Sequence, residues 1–461
     1  MDQLNLWRPL ALAALLTVAL PASAEQLEYR QCLDRALAQN PDLAVSRAQI
    51  EQAEAAARQA QGNRLPRLNL SLTASRSNDP LNAFGMKLGQ SNVTFGDFGP
   101  PAGGPFGSYP ANLNTLNNPD AVNNFNSRIE LLVPVYNGGM VQSYVDTAKA
   151  YVRAAQSGDR MARQQLAKHV LMAYQGVHTA RAYIKLADEA KAAAEEFVRI
   201  SEKLHRQGMV VKSDVLTAQA NLQDVKIKGI EARNAEAAAL NQLALLMGQS
   251  LDAPLDVGAP VEPAMLPGNP ADLRAQAAND HAGLKALRSQ VEAAGAQVNV
   301  ARAGKKPQFN VMLRQDWNDD TLGFDASSYT VAGVLSWSAF DGGTTNAAID
   351  RAQAQRNELL AKLRQAEEGI GYQVTDAHRK AQEAEEKIAA REAGQEQARE
   401  AQRLVKRRYE NGMGTLIELL GAQAQLDKAN ADLVAARYEL AVNRAELKRA
   451  VGVLDPAAEN L

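Results

Sequence analysis

The chain is one unit written twice, and that repetition narrows the folds open to it more than any single motif does. Shifting the sequence by 204 positions brings "VYNGG" (Val135–Gly139) onto "AFDGG" (Ala339–Gly343). Without a gap, "GMVVKSDVLTAQ" from Gly208 then falls on "GMGTLIELLGAQ" from Gly412, and Met247-Gly248 on Val451-Gly452. Upstream the shift is 241: Leu43 meets Leu284, "RAQIE" at Arg47 meets "RSQVE" at Arg288, Pro66 meets Pro307 and Asn69 meets Asn310. The shifts differ by 37 residues, so the first copy carries an insert of that length between Pro66 and "NGG". The resulting divisions are a first repeat over 25–248, a proline-rich linker over 249–270 and a second repeat over 271–461.

Each copy has the same internal order. In the second, a helix is expected from about Pro270 to Ala303, ended by Pro307. Strands follow over 308–317 and 328–338. Phe309, Val311, Leu313 and Trp317 alternate with Asn310, Arg314 and Asp316, and Tyr329, Val331, Leu335 and Trp337 share one face. "DGG" turns the chain, and no proline occurs between about Thr345 and Tyr409, enough for a helix of about 100 Å. A tip over 410–416 reverses it into a return helix ending near Val451. The first copy has strands over 67–76 and 125–134, and its tip lies over 207–212. The segment between its strands, 78–124, is dense in Gly, Pro and Asn and reads as a long irregular loop.

Composition agrees with long, close-packed helices. Hydrophobic residues make up 46% of the chain but aromatics only 5%, which leaves the apolar share mostly to Ala, Leu and Val. A net charge of -2 argues against a nucleic-acid partner. "LALAALLTVAL" behind Arg8, followed by Pro21 and "ASA" at Ala22–Ala24, reads as a secretory signal peptide over 1–24. Cys32 is the single cysteine, so no internal disulfide can form. No later apolar run is long enough for a transmembrane helix, which leaves a periplasmic or secreted protein or a β-barrel.

The strands favour the barrel. Each is about as long as a tilted membrane strand. Phe309 and Trp337 fall at the helix-proximal end of the apolar face and Trp317 and Tyr329 at the loop end, the positions of two aromatic girdles. Four strands cannot span a bilayer with open edges, because unpaired backbone groups in lipid cost several kcal/mol each. Closure therefore needs two, three or four chains. Along the first long helix, Leu166, Val170, Ala173, Val177, Ala180, Ile184, Ala187, Ala194 and Val198 form a heptad-like seam, nearly half of it alanine.

In this order of parts the chain resembles the TolC-type outer membrane factor family. The matching features are the signal peptide, the two helix–strand–strand–long helix–turn–helix repeats, the "NGG/DGG" turns and the Gly-then-Leu-x-Ala-Gln tips, over essentially the whole mature chain. The resemblance implies a mainly α fold with a membrane β-barrel: a homotrimer whose 12-stranded outer-membrane barrel continues into a 12-helix periplasmic α-barrel. It implies the exit duct of a tripartite efflux pump or type I secretion system in a Gram-negative outer membrane. Its partners would be outer-membrane lipid, a periplasmic adaptor (membrane fusion protein) and an inner-membrane transporter of RND or ABC type. The adaptor would dock at the tips, around Gly208, Met209, Val210, Gly412, Met413 and Gly414.

The same resemblance assigns a gate. Asp214 matches a tip aspartate of the links that close the family's periplasmic entrance, Tyr409 a tyrosine partner in them, and Glu418 a constriction aspartate. Gly414 and Gly421 depart from the pattern, standing where a linking arginine and a second constriction aspartate are expected. Read without the family, Asp214 and Glu418 are equally acids of a helix first turn, or a ring filtering cations. No enzyme, cofactor or metal is expected: His169, His178, His205, His281 and His378 form no ligand pair, and no nucleophile or phosphate-loop motif is present. The rival readings are a coiled-coil periplasmic adaptor, which needs only one hairpin, and a trimeric surface adhesin, which puts its barrel segment at a chain end.

Overall fold

The structure, a computed structural model, describes residues 25–98, 114–252 and 254–454. The expected signal peptide and residues 99–113 of the insert lie outside the described residues. In chain order, β1 (Glu25–Leu27), α1 (Tyr29–Gln39) and α2 (Pro41–Gly62) precede β2 (Arg67–Ser77). The insert holds α3 (Pro80–Gly89), a 3-10 turn over Phe95–Phe98 and α4 (Asn114–Asn117). Then come β3 (Val122–Tyr136), α5 (Met140–Arg206), α6 (Lys212–Leu246) and β4 (Leu255–Val257). The second repeat is α7 (Pro270–Asp280), α8 (Ala282–Ala303), β5 (Gln308–Asp319), β6 (Ala326–Ser336), α9 (Thr344–Glu410) and α10 (Leu416–Val451). Helices α5 and α9 have 67 residues each, about 100 Å at the standard rise.

Three features differ from the sequence reading. The insert is not a bare loop, because Asp79 caps α3 by accepting from the Asn82 amide at 3.0 Å with Pro80 in the first turn. The helix expected from Pro270 to Ala303 is two helices, broken at His281, whose backbone is extended. The proline-rich linker contains β4, which pairs in parallel with β1, Leu27 opposite Val257.

The chain clusters into two compact units. One comprises the described residues of Met1–Ser46, Asp159–Ala282 and Glu367–Leu461; the other comprises those of Arg47–Gly158 and Gly283–Ala366. In the first unit a core gathers Leu33, Leu43, Val170, Tyr174, Leu243 and Met247. Tyr174 stacks edge-on against Tyr29 at 5.7 Å and donates its hydroxyl to the Ala259 carbonyl at 2.8 Å. Burial pushes the Tyr174 phenol up to about 12 and the fully buried Cys32 thiol up to about 11. The α5 seam is buried from Leu166 to Ala180 and again at Ala194, but Phe197 rather than Val198 then turns inward.

A paired device ends the return helices of this unit. Gly248 (φ +67°) and Gly452 (φ +87°) occupy left-handed backbone. A Cβ on Gly248 would meet the Gln39 carbonyl oxygen at 2.8 Å, and one on Gly452 the His281 backbone nitrogen at 2.9 Å. Both glycines therefore pack where the two preceding short helices of their repeat are joined, at Asn40 and at His281.

The second unit holds an antiparallel sheet in the order β2-β3-β5-β6. Its register aligns Leu68 with Leu131, Leu131 with Leu313, and Leu313 with Val331 across all four strands. A single slip would transfer these residues to the opposite face. Pro134 of β3 cannot donate to a ladder, and the register shifts between it and Tyr136. The strand-to-helix turns use Gly138 and Gly139 in one copy and Gly342 and Gly343 in the other, all at positive φ.

Candidate functional site at the hairpin tips

Both long helices end in the same Schellman closure. Met209 N–H donates to the Leu204 carbonyl and Gly208 N–H to that of His205, each at 2.9 Å; Met413 to Arg408 and Gly412 to Tyr409 repeat this at 2.9 Å. The motif needs a left-handed residue, which Gly208 (φ +74°) and Gly412 (φ +70°) supply. Five residues then separate α5 from α6 and α9 from α10.

The two tips are knit by one small core. Phe197, Ile200 and Leu204 of α5, Ala218 of α6, Tyr409 of α9, and Leu416 and Leu419 of α10 pack together. Tyr409 is 0% exposed, and its hydroxyl lies 2.7 Å from the Ser201 hydroxyl, also 0% exposed. Burial raises the Tyr409 phenol above its ordinary range, and the nearby Asp214 carboxylate adds to the rise while the Ser201 bond opposes it. The Met209 side chain lies on Gly412, so any Cβ there would collide with its terminal methyl.

Glu418 is engaged locally. Its backbone N–H donates to the Thr415 hydroxyl at 3.2 Å and its carboxylate accepts from the Thr415 N–H at 3.5 Å, a capping box. Arg408 approaches the same carboxylate at 3.7 Å, with both side chains about half exposed. Asp214 stands in the first turn of α6, whose cap residue Val211 makes no side-chain bond. The structure thus brings Tyr409 near Asp214 but hydrogen-bonds it to Ser201, and it places Glu418 in the cap of its own helix. A Cβ on Gly414 already meets the Tyr409 backbone nitrogen at 3.3 Å and Glu418 Oε2 at 3.4 Å. Sequence reasoning missed Ser201 and Arg408. Thr415-x-x-Glu418 carries the capping-box signature that marks that acid's structural role.

The tips expose apolar side chains among charged and polar ones such as Arg206, Lys212, Glu410 and Asn411. Met209, Val211 and Leu216 are exposed on the first, and Met413 (66%) and Ile417 (80%) on the second. Val210 is half-buried and touches the inner cluster.

The sheet is the second feature of note. One face carries Leu68, Leu70, Leu72, Ile129, Leu131, Leu313, Val331 and Leu335; most of them are exposed. The other face is polar, with Arg128 on Asp316 at 2.7 Å and Arg314 on Asp316 at 2.9 Å. Phe309 packs against Gly333, and Trp337 donates its indole N–H to the Lys305 carbonyl at 3.1 Å, both at the helix-proximal end. At the loop end Trp317 meets Phe324 edge-on at 5.7 Å, and Tyr329 is 80% exposed. Among the described residues no helix is long and apolar enough to cross a membrane, and no cluster of metal-ligating side chains occurs.

Two helix–strand–strand–hairpin repeats are thus joined through one amphipathic sheet. The sequence profile of the family described as "Outer membrane efflux protein" matches residues 32–249 and 273–453, and the chain belongs to that family. Protein CyaE of Bordetella pertussis is 30% identical over 350 residues, 74% of this chain and 72% of the relative. The alkaline protease secretion protein AprF of Pseudomonas aeruginosa is 27% identical over 306 residues, 65% of this chain but only 63% of the relative. The crystal structure of the Campylobacter jejuni CmeC outer membrane channel matches with a TM-score of 0.77 at 17% identity, covering 94% of this chain and 87% of that one.

Proposed function

We propose that this protein is an outer-membrane exit duct for a tripartite efflux pump or type I secretion system, located in a Gram-negative outer membrane with its helices in the periplasm. The observation that carries this is the sheet: an apolar face continuous across β2-β3-β5-β6, with edges left at β2 and β6. In lipid those edges must pair. The strand directions alternate, so β6 of one copy beside β2 of the next is again antiparallel and head-to-tail association closes a ring. A homotrimer gives 12 strands and, from two hairpins per chain, 12 periplasmic helices. In this barrel Phe309 and Trp337 form the inner aromatic girdle and Trp317 and Tyr329 the outer one.

The tips provide entrance and docking surface. A periplasmic adaptor caps the exposed Met209, Val211, Met413 and Ile417 around Gly208, Val210, Gly412 and Gly414, and an inner-membrane transporter of RND or ABC type supplies energy and substrate choice. Asp214 and Glu418 line a narrowed resting entrance. Tyr409 latches it through Ser201, and Arg408 supplies the cation missing at Gly414, although a half-exposed pair contributes only about 0–1 kcal/mol. Outer-membrane fractionation with heat-modifiable trimers on gels tests the duct; a soluble periplasmic monomer overturns it. In planar bilayers Asp214→Ala with Glu418→Ala raises conductance and lowers cation preference. If both quantities stay at wild-type values, the gate assignment is wrong.

A further inference from the structure

The insert of the first repeat does not hang free of the sheet. Helix α3 runs from its Asp79 cap to Gln90, which is buried at the loop end of the strands. The Gln90 amide donates to the Asn123 carbonyl at 2.6 Å and to Asn124 Oδ1 at 2.9 Å, and Asn124 donates to Asn318 Oδ1 at 3.1 Å. Asn124 and Asn318 lie on the same face as Arg128 and Asp316, the polar one, by the alternation of β3 and β5. Gly89 rests directly on this seat, since a Cβ there would lie 3.4 Å from Asn318 Cγ and 3.7 Å from its Cβ. Lys87 pairs with Asp97, whose carboxylate also accepts from the Thr94 N–H at 2.7 Å, tying the helix to the turn that follows. Ala83 is buried, while Leu81 and Leu88 are left exposed. The second repeat has only a short connection, 320–325, at the corresponding place.

We propose that α3 is a constriction at the exit mouth of the channel, seated through Gln90, Asn124 and Asn318 and presenting Leu81 and Leu88 to the passing solute. This rests on the closed-barrel reading, because the polar face lines a lumen only when the apolar face turns outward. Each copy then lays one α3 inside the mouth. An apolar ring at that point limits the flow of ions and bulky polar solutes, as hydrophobic constrictions do by dewetting. The exit end thereby carries a barrier built by different residues from the entrance at the tips.

The test uses the full-length protein reconstituted in planar bilayers. In Gly89→Cys/Asn318→Cys the Cβ atoms are spaced for a disulfide, and the buried Cys32 is no competitor. Mild oxidation should form the bond and hold single-channel conductance at or below its reduced value, with reductant reversing the effect. Gln90→Ala removes the seat and should raise conductance by about twofold or more. Leu81→Asp with Leu88→Asp keeps the seat and should raise conductance with greater cation preference. Failure of the disulfide to form in folded protein overturns the seat. Formation with equal conductance in the oxidised, reduced, Gln90→Ala and Leu81→Asp/Leu88→Asp channels overturns the constriction alone. Absence of any channel in the wild-type protein overturns the exit-duct reading on which both depend.

Discussion

At the first tip Gly208 takes φ +74° and at the second Gly412 takes +70°, with the same pair of closing hydrogen bonds. Beyond that the copies part. Position 205 of the first is His205, exposed and bonded through Nδ1 to the Val210 carbonyl of its own turn at 3.0 Å. Its counterpart in the second copy is Tyr409, fully buried against α5 and bonded to Ser201. Val211 opens α6 without a side-chain cap, whereas Thr415 opens α10 with a capping box. One tip thus depends on contacts the other provides: the second hairpin inserts an aromatic anchor beneath the first and is closed independently by its own cap. An internal repeat conserves a backbone solution, while the work of holding the two hairpins together falls on positions where the copies differ.

The sharpest way to break this asymmetry is Tyr409→Ala. Deleting a fully buried aromatic ring costs about 3–5 kcal/mol, whereas His205→Ala, on the exposed counterpart, should stay within about 0.5 kcal/mol. Thermal unfolding followed by helix circular dichroism measures both, and equal losses would remove the distinction between the tips. The phenol adds a pH signature. Its pKa is raised by burial, so its contribution is intact below the unfolded tyrosine value of about 10 and falls as pH rises through the higher folded value. Tyr409→Phe should flatten that alkaline loss.

Gly412→Ala comes next. Placing a Cβ in left-handed backbone costs about 1–2 kcal/mol, the same at Gly208→Ala and at Gly412→Ala. At Gly412 the Met209 methyl also stands in the way, but it ends a flexible, exposed side chain that can swing aside, so the two losses should be similar. A clearly larger loss at Gly412, relieved by Met209→Ala, would mean that Met209 is held in place against the second tip and that the tips meet at this turn as well as through Tyr409.

The pattern of what the sequence made legible follows the range of each interaction. The strands, the proline-free helices and the turning glycines show in periodicities and single residue types, because alternation over ten residues or absence of proline over sixty is a local property. The pairing of β1 with β4 joins two three-residue strands more than 200 positions apart, and no local pattern announces it. Helix α3 was hidden by the Gly and Asn around it, although Asp79-Pro80 is a helix-start signal. At the tips the acids Asp214 and Glu418 were visible as residues. The Ser201 partner of Tyr409 was not, because 208 positions separate them and only the packing of α5 against α9 brings them together.

The smallest expected effect exchanges the caps. Thr415→Ala removes a hydroxyl that accepts from the Glu418 N–H and should cost about 1 kcal/mol. The reverse change, Val211→Thr with Asp214→Glu, writes the same box into the first tip and should stabilise it by about 0.5–1 kcal/mol. Amide exchange across Lys212–Leu216 reads the gain locally, where global unfolding would average it with the rest of the molecule. The expected outcome is slower exchange over that turn and no change at Leu416–Leu420. If protection does not rise, the first tip is held by contacts other than its cap. The uncapped start at Val211 would then be without consequence, and the difference between the two tips would reduce to Tyr409 and the bond it makes.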